Sequence, residues 1–228
     1  MSEQFRVSPE TGLKFYDSTE KLIKANAVAA VVFLLIGGAF GLLVGLTRWP
    51  AVHLLPADAF YLVLTAHGLN VLIFWCIFFE MAVLYFCSSV LLGCRMAMPK
   101  VAWAAFGLMV IGALMNNFIV LTGEATVMMT SYAPMEAHPL FYLSLILFAV
   151  GALICCFIFF GTLVIAKEEK TYEGSVPLVT FGAITAAIIA VFTIASGAII
   201  LVPTLLWSLG FIAEIDALMY RLIWWGFG

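Results

Sequence analysis

Two ionisable side chains lie inside long apolar runs, His67 and Glu80. His67 sits in Thr65-Ala66-His67-Gly68-Leu69-Asn70, and of the three histidines it alone falls within a stretch of membrane-spanning length. An ionisable group at membrane depth is expensive, and it is found paired or in functional use. Neutral imidazole is a standard axial ligand of haem iron. Haem ligation is therefore one reading of His67, and a hydrogen bond to a neighbouring helix is the other. Glu80 follows thirteen residues later. At about 100° per residue this leaves about 220° after whole turns, so the two do not share a helix face. Glu80 suits a proton path, a pairing with a polar group on another helix, or a place near the interface where charge costs less.

Small residues precede them. Gly37-x-x-x-Gly41-x-x-x-Gly45, with Gly38 alongside, puts glycines along one helix face and allows another surface to approach closely. That surface is either a second helix or a flat macrocycle at the depth of His67. Further along, Thr185, Thr193 and Ser196 lie near one face, where hydroxyls line water or bond to backbone carbonyls. His138, just before Pro139, suits an interfacial or capping role, and His53 lies in a loop with no partner constellation.

The elements that must position these groups are membrane helices. Hydrophobic residues make up 65% of the chain and charged residues only 10%, against about 25% charged in soluble domains. The net charge of −3 is spread over loops and suggests no nucleic-acid partner. Cys76, Cys87, Cys94, Cys155 and Cys156 lie in or at the ends of apolar runs without a Cys-x-x-Cys pair, so they read as buried thiols.

Residues 1–23 are polar, lack a signal-peptide layout, and form an expected cytoplasmic amphipathic lead-in at the membrane surface. The membrane domain covers 24–228. Its spans are expected near 24–47, 58–93, 101–121, 140–166 and 176–202, with Pro177 in the first turn of the fifth. With the N-terminus inside, eight of the ten Lys and Arg residues fall on inner segments, leaving Arg48 and Arg221 outside. This obeys the positive-inside rule. Splitting 58–93 into two crossings would destroy that asymmetry, so it reads as one long, tilted helix. A sixth helix starts near Ala217 and runs about 12 residues to Gly228, short of the roughly 20 a crossing needs. Completion by a second polypeptide, or a chain that is a fragment, is expected. The fold class is all-α, a polytopic transmembrane helix bundle with five complete spans plus the start of a sixth.

Several stretches, in order, resemble subunit I of the haem–copper oxidase superfamily. Leu64-Thr65-Ala66-His67-Gly68 with Asn70 is similar to its second helix. Glu124-Ala125-Thr126-Val127, then Tyr132, Pro134, His138 and Phe141-Tyr142-Leu143, resembles the loop between helices three and four in the B-family branch. Trp224-Trp225-Gly226-Phe227-Gly228 looks like the stretch just before the first copper-ligating histidine.

The resemblance implies the N-terminal half of a twelve-helix-type subunit in a prokaryotic inner membrane. His67 would be one axial ligand of a low-spin haem, of b or a type, with Gly37, Gly38 and Gly41 as a haem-packing wall and Glu80 on a proton path. Electrons from cytochrome c, a cupredoxin or quinol would pass through that haem to a high-spin haem and copper, where dioxygen becomes water with proton translocation. The copper ligands and the other haem ligands would lie in the C-terminal half, and subunit II would be a partner. The chain alone would then be inactive. Nitric oxide reduction within the same superfamily is one alternative. A non-catalytic membrane protein, such as a transporter half or assembly partner, is another, though no inverted or parallel repeat is evident.

Overall fold

A computed structural model describes residues 4–226. Residues 1–3 of the lead-in and Phe227 and Gly228 of the closing motif lie outside the described residues. The order is β1 (Phe5–Val7), β2 (Lys14–Tyr16), α1 (Asp17–Arg48), α2 (Ala57–Gly68), α3 (Trp75–Tyr85), α4 (Pro99–Leu121), α5 (Pro139–Glu168), α6 (Leu178–Ser208) and α7 (Ala217–Gly226). Two π-helical turns, Leu69–Phe74 and Phe86–Val90, join α2 to α3 and extend α3, giving one rod over Ala57–Val90. Among the described residues five helices are long and apolar enough to cross a membrane, as the sequence predicts, and the second is the single long rod.

The lead-in differs from expectation. It forms an antiparallel hairpin pairing Phe5 with Tyr16 and Val7 with Lys14, and helix begins at Asp17 rather than near Lys24. Arg6 clamps the hairpin to α1 by donating from Nε and Nη2 to the two Glu20 carboxylate oxygens at 2.8 and 2.9 Å. Lys21–Asp17 and Lys24–Glu20 pairs at i,i+4 support the first turns.

The fifth span also runs further than the sequence suggests. Pro177 precedes the helix instead of lying in its first turn, and α6 continues past Val202 through Pro203 to Ser208. Membrane bundles tolerate such prolines because neighbouring helices and hydroxyls re-satisfy freed backbone groups. Thr204 Oγ1, one residue on, donates to the Ile200 carbonyl at 2.6 Å, next to the Ile199 carbonyl that Pro203 leaves without its helical N–H.

Polar clasps define the two ends of the bundle. At one end Thr19 and Ser89 hydroxyls meet at 3.1 Å, Thr180 Oγ1 donates to Cys87 O at 2.9 Å, and Arg95 pairs with Glu169 at 3.1 Å. Eight cations belong to segments at this end: Arg6, Lys14, Lys21, Lys24, Arg95, Lys100, Lys167 and Lys170. Arg48 and Arg221 belong to the other. Burial pushes the Cys94 thiol, in the connection beside this first clasp, up to about 11. It and the buried Cys87, Cys155 and Cys156 are free thiols.

α4 and α5 form the tightest pair. A Cβ on Gly112 would sit 2.6 Å from the Ser144 carbonyl oxygen, and one on Gly151 would sit 2.7 Å from that of Ala105. Phe33 stacks on Phe78 at 5.4 Å, and Phe74 meets Phe148 at 4.9 Å, which ties α1, the rod and α5 into one core. Val28, Leu35 and Leu42 on α1, and Leu178, Phe181 and Phe192 on α6, are exposed apolar residues that suit a hydrocarbon environment or further protein.

Candidate functional site

His67 lies one residue from the end of α2 and two residues before the first π-turn. Its Nδ1 is 2.8 Å from the Gly37 carbonyl oxygen on α1. A carbonyl only accepts, so Nδ1 carries the proton and donates, and Nε2 holds the lone pair. A hydrogen bond from the far ring nitrogen to a backbone carbonyl is what orients a metal-ligating histidine and raises its basicity. The hydrogen bond to a neighbouring helix exists, and it uses Nδ1, the ring nitrogen that leaves Nε2 available.

The glycine stripe is what brings the imidazole there. A Cβ on Gly41 would fall 2.8 Å from His67 Cε1 and 3.0 Å from Nδ1, while one on Gly37 would fall 2.5 Å from Val71 Cγ2 and 2.9 Å from Asn70 Cβ. Gly37 and Gly41 therefore cradle the histidine ring and the π-turn directly. That is closer to the helix-packing reading than to a wall for a macrocycle. Gly38 and Gly45 have no atom within 4 Å of a would-be Cβ, so the smooth open strip lies beside the cradle. The residues present would fit a haem: an oriented imidazole whose Nε2 is not used in the hydrogen bond to Gly37, on a helix pair with open space at Gly38 and Gly45.

The loop between α4 and α5 covers this part of the rod. Met128 N donates to Thr65 Oγ1 at 2.9 Å, and Thr65 Oγ1 donates to Tyr61 O at 2.8 Å. A Cβ on Gly68 would meet Met129 Cβ at 3.0 Å, so that loop residue packs against the turn holding His67. The loop is in turn held by α7. Tyr220 OH donates to Thr130 O at 3.0 Å and lies 2.9 Å from Ser131 Oγ. Trp225 Nε1 donates to Tyr132 OH, and the Arg221 guanidinium sits 5.3 Å from the centre of the Tyr132 ring.

Glu80 is on α3, half-buried, between two apolar grooves of about 530 and 350 Å³ shared with α6. Ala186 lines both grooves. His67 faces α1 and Glu80 faces α6, so the two sit on different sides of the rod. Thr185 and Thr193 donate to the Phe181 and Ile189 carbonyls at 3.3 and 3.0 Å, and Ser196 to Thr193 O at 2.8 Å. Each of those hydroxyls thus has a backbone carbonyl of its own helix as a partner. His138 caps α5, its Nδ1 accepting from Leu140 N at 3.2 Å. His53 lines a shallow cleft with Arg48 and Tyr61.

Sequence reasoning missed a polar pair beside the histidine. Buried Asn70 and half-buried Asn117 exchange amide hydrogen bonds at 2.7 and 3.1 Å between the rod and α4. The available signal was an asparagine within each of two apolar runs, since a polar group in hydrocarbon seeks a partner.

A polytopic helical membrane protein that presents an oriented imidazole within its bundle is the class this fold and site define. The family model for cytochrome c and quinol oxidase polypeptide I matches residues 21–228, and the chain belongs to that family. It is 28% identical over 211 residues to cytochrome c oxidase subunit 1 of Thermus thermophilus, a match covering 87% of this chain and 36% of the relative. A solved heme-copper terminal oxidase dimer superposes with a TM-score of 0.85 at 28% identity, covering 94% of this chain and 37% of that one. The chain thus spans just over a third of the relatives it matches, less than the half implied by the resemblance.

Proposed function

We propose that this chain forms the part of a respiratory haem–copper oxidase subunit I that holds one side of the low-spin haem, with His67 as an axial ligand. The observation that carries the reading is the 2.8 Å bond from His67 Nδ1 to the Gly37 carbonyl, which fixes the tautomer with Nε2 free to ligate. When bound, the haem supplies one-electron transfer. The chain's own residues do the rest. Gly37 orients the imidazole, Gly41 leaves room for it, and the open strip at Gly38 accepts the flat face. The loop residues Met128 and Met129 cover the outer side and limit access of water.

In the complete subunit, with subunit II, a high-spin haem and copper would supply the redox chemistry that reduces dioxygen to water with electrons from cytochrome c, a cupredoxin or quinol. The end carrying eight cations faces the cytoplasm of a prokaryote, with the hairpin there. Glu80 Oε atoms hold a proton at an apolar groove and pass it as part of proton translocation; the support is a carboxyl group partly buried between α3 and α6.

The test is purification from the host membrane, with haem quantified per chain. His67→Ala is expected to abolish most of the low-spin Soret absorbance, and unchanged absorbance would refute the ligand assignment. Oxygen uptake and nitric oxide consumption measured on the same preparation separate the two reductase chemistries.

A further inference from the structure

The rod bearing His67 changes its winding just after that residue. Over Leu69–Phe74 it follows the wider i→i+5 pattern, the kind of single-turn bulge that concentrates at functional sites. Asn70 lies in the first turn of this bulge and is fully buried. Its Nδ2 donates to the Ala66 carbonyl at 2.7 Å and to Asn117 Oδ1 at 2.7 Å. Asn117 Nδ2 donates back to Asn70 Oδ1 at 3.1 Å and to the Ala113 carbonyl at 2.9 Å. Every N–H of the two amides is engaged and each oxygen accepts. Each amide is anchored to its own helix, and the pair bridges the rod to α4. A fully satisfied, part-buried pair of this kind rigidifies its surroundings.

The same π-turn presses on the group that orients His67. A Cβ on Gly37 would collide with Val71 Cγ2 and Asn70 Cβ at 2.5 and 2.9 Å and approach Val71 N at 3.2 Å. Gly37 is therefore held between the π-turn and the imidazole whose proton its carbonyl accepts. We infer that Asn117, acting through Asn70, is a positioning residue that locks the π-turn against Gly37 and so sets the hydrogen bond on His67 Nδ1. This rests on the reading of His67 as a haem ligand. The hydrogen bonds of the pair run to each other and to the Ala66 and Ala113 carbonyls, so it acts through the backbone it clamps.

The experiment uses the haem-loaded protein purified from its host membrane. Asn117→Leu removes the reciprocal pair at similar volume, and Asn117→Ser serves the same purpose if the leucine variant fails to accumulate. Asn116→Ala is the control. It deletes the neighbouring buried amide, which donates to Ser144 Oγ at 2.8 Å and has no bond to the π-turn. Haem per chain, the g-values of the ferric low-spin signal and the haem midpoint potential are read. The Asn117 variants are expected to retain haem but show shifted g-values and a raised potential, because a weaker Nδ1 bond leaves the imidazole less electron-rich. Asn116→Ala is expected to match the parent. Unmoved g-values and potential in a haem-retaining Asn117 variant overturn the inference, and so does an equal shift in Asn116→Ala. His67→Ala separates the two claims: unchanged haem content there defeats the ligand reading itself, whatever Asn117 does.

Discussion

Gly41→Ala places the smallest possible side chain against the His67 ring, where there is no room for it. The new Cβ would stand 2.8 Å from His67 Cε1 and 3.0 Å from Nδ1. Ordinary contact begins near 3.4 Å, so the ring must retreat by several tenths of an ångström. The retreat draws Nδ1 away from the Gly37 carbonyl, now 2.8 Å distant. Losing that bond costs about 1 kcal/mol, and forcing an extra methyl into a packed contact costs about 1–3 kcal/mol. Together these correspond to a loss of roughly one to three powers of ten in haem affinity at about 1.4 kcal/mol per tenfold. Loss of an outer-shell partner alone is worth about 10–100-fold. The assay is haem per chain, with a melting curve to show that the bundle stays folded. Gly107→Ala is the control, because its Cβ would meet no atom within 4 Å. Full haem occupancy with an unchanged spectrum in Gly41→Ala would show that the glycine cradle does not govern His67. Gly38→Ala extends the same test, since it displaces no protein atom within 4 Å and should lower haem content only if a macrocycle lies along that strip.

Other outcomes follow from the same geometry. Glu80→Gln keeps the shape but removes the exchangeable charge, and it should slow proton-coupled turnover by about a hundredfold while leaving haem content intact; turnover at the parent rate would exclude Glu80 from the path. Gly112→Ala drives a methyl to 2.6 Å from the Ser144 carbonyl oxygen on rigid backbone, so it should lower the unfolding midpoint by an amount equivalent to at least about 1–3 kcal/mol, read by thermal scanning in detergent. Tyr220→Phe removes the hydroxyl that joins α7 to Thr130 and Ser131. It should cost about 1–2 kcal/mol and hasten proteolytic nicking within residues 123–137, and an unaltered digestion rate would show that α7 does not hold this loop.

The number and order of the spans are legible in the chain's sequence alone. A backbone in hydrocarbon must satisfy its own hydrogen bonds, so long apolar runs become helices, and the count of five and the unbroken second rod follow from run length and the placement of Lys and Arg. It also singled out His67 and Glu80, because charge-capable groups are rare at that depth, and the rotation between them already put them on different faces. The order of short motifs carried the resemblance to the family that the comparisons then established.

Tertiary structure decided what those residues touch. The hairpin at 5–16 was hidden because its strands are short and its clamp, Arg6 to Glu20, spans fourteen residues. Continuation of α6 through Pro203 depends on surroundings that a local propensity does not contain. The Gly37-x-x-x-Gly41 spacing was visible, yet it fitted a helix and a macrocycle equally well. Only the register between α1 and the rod shows that Gly41 makes room for the imidazole and that the Gly37 carbonyl takes its proton. That register is fixed by side chains interlocking across helices thirty residues apart, and by a π-turn held through Asn70 and Asn117. Periodicity along one helix can say which way a residue faces, but the atom waiting on the other side is chosen by how the helices pack.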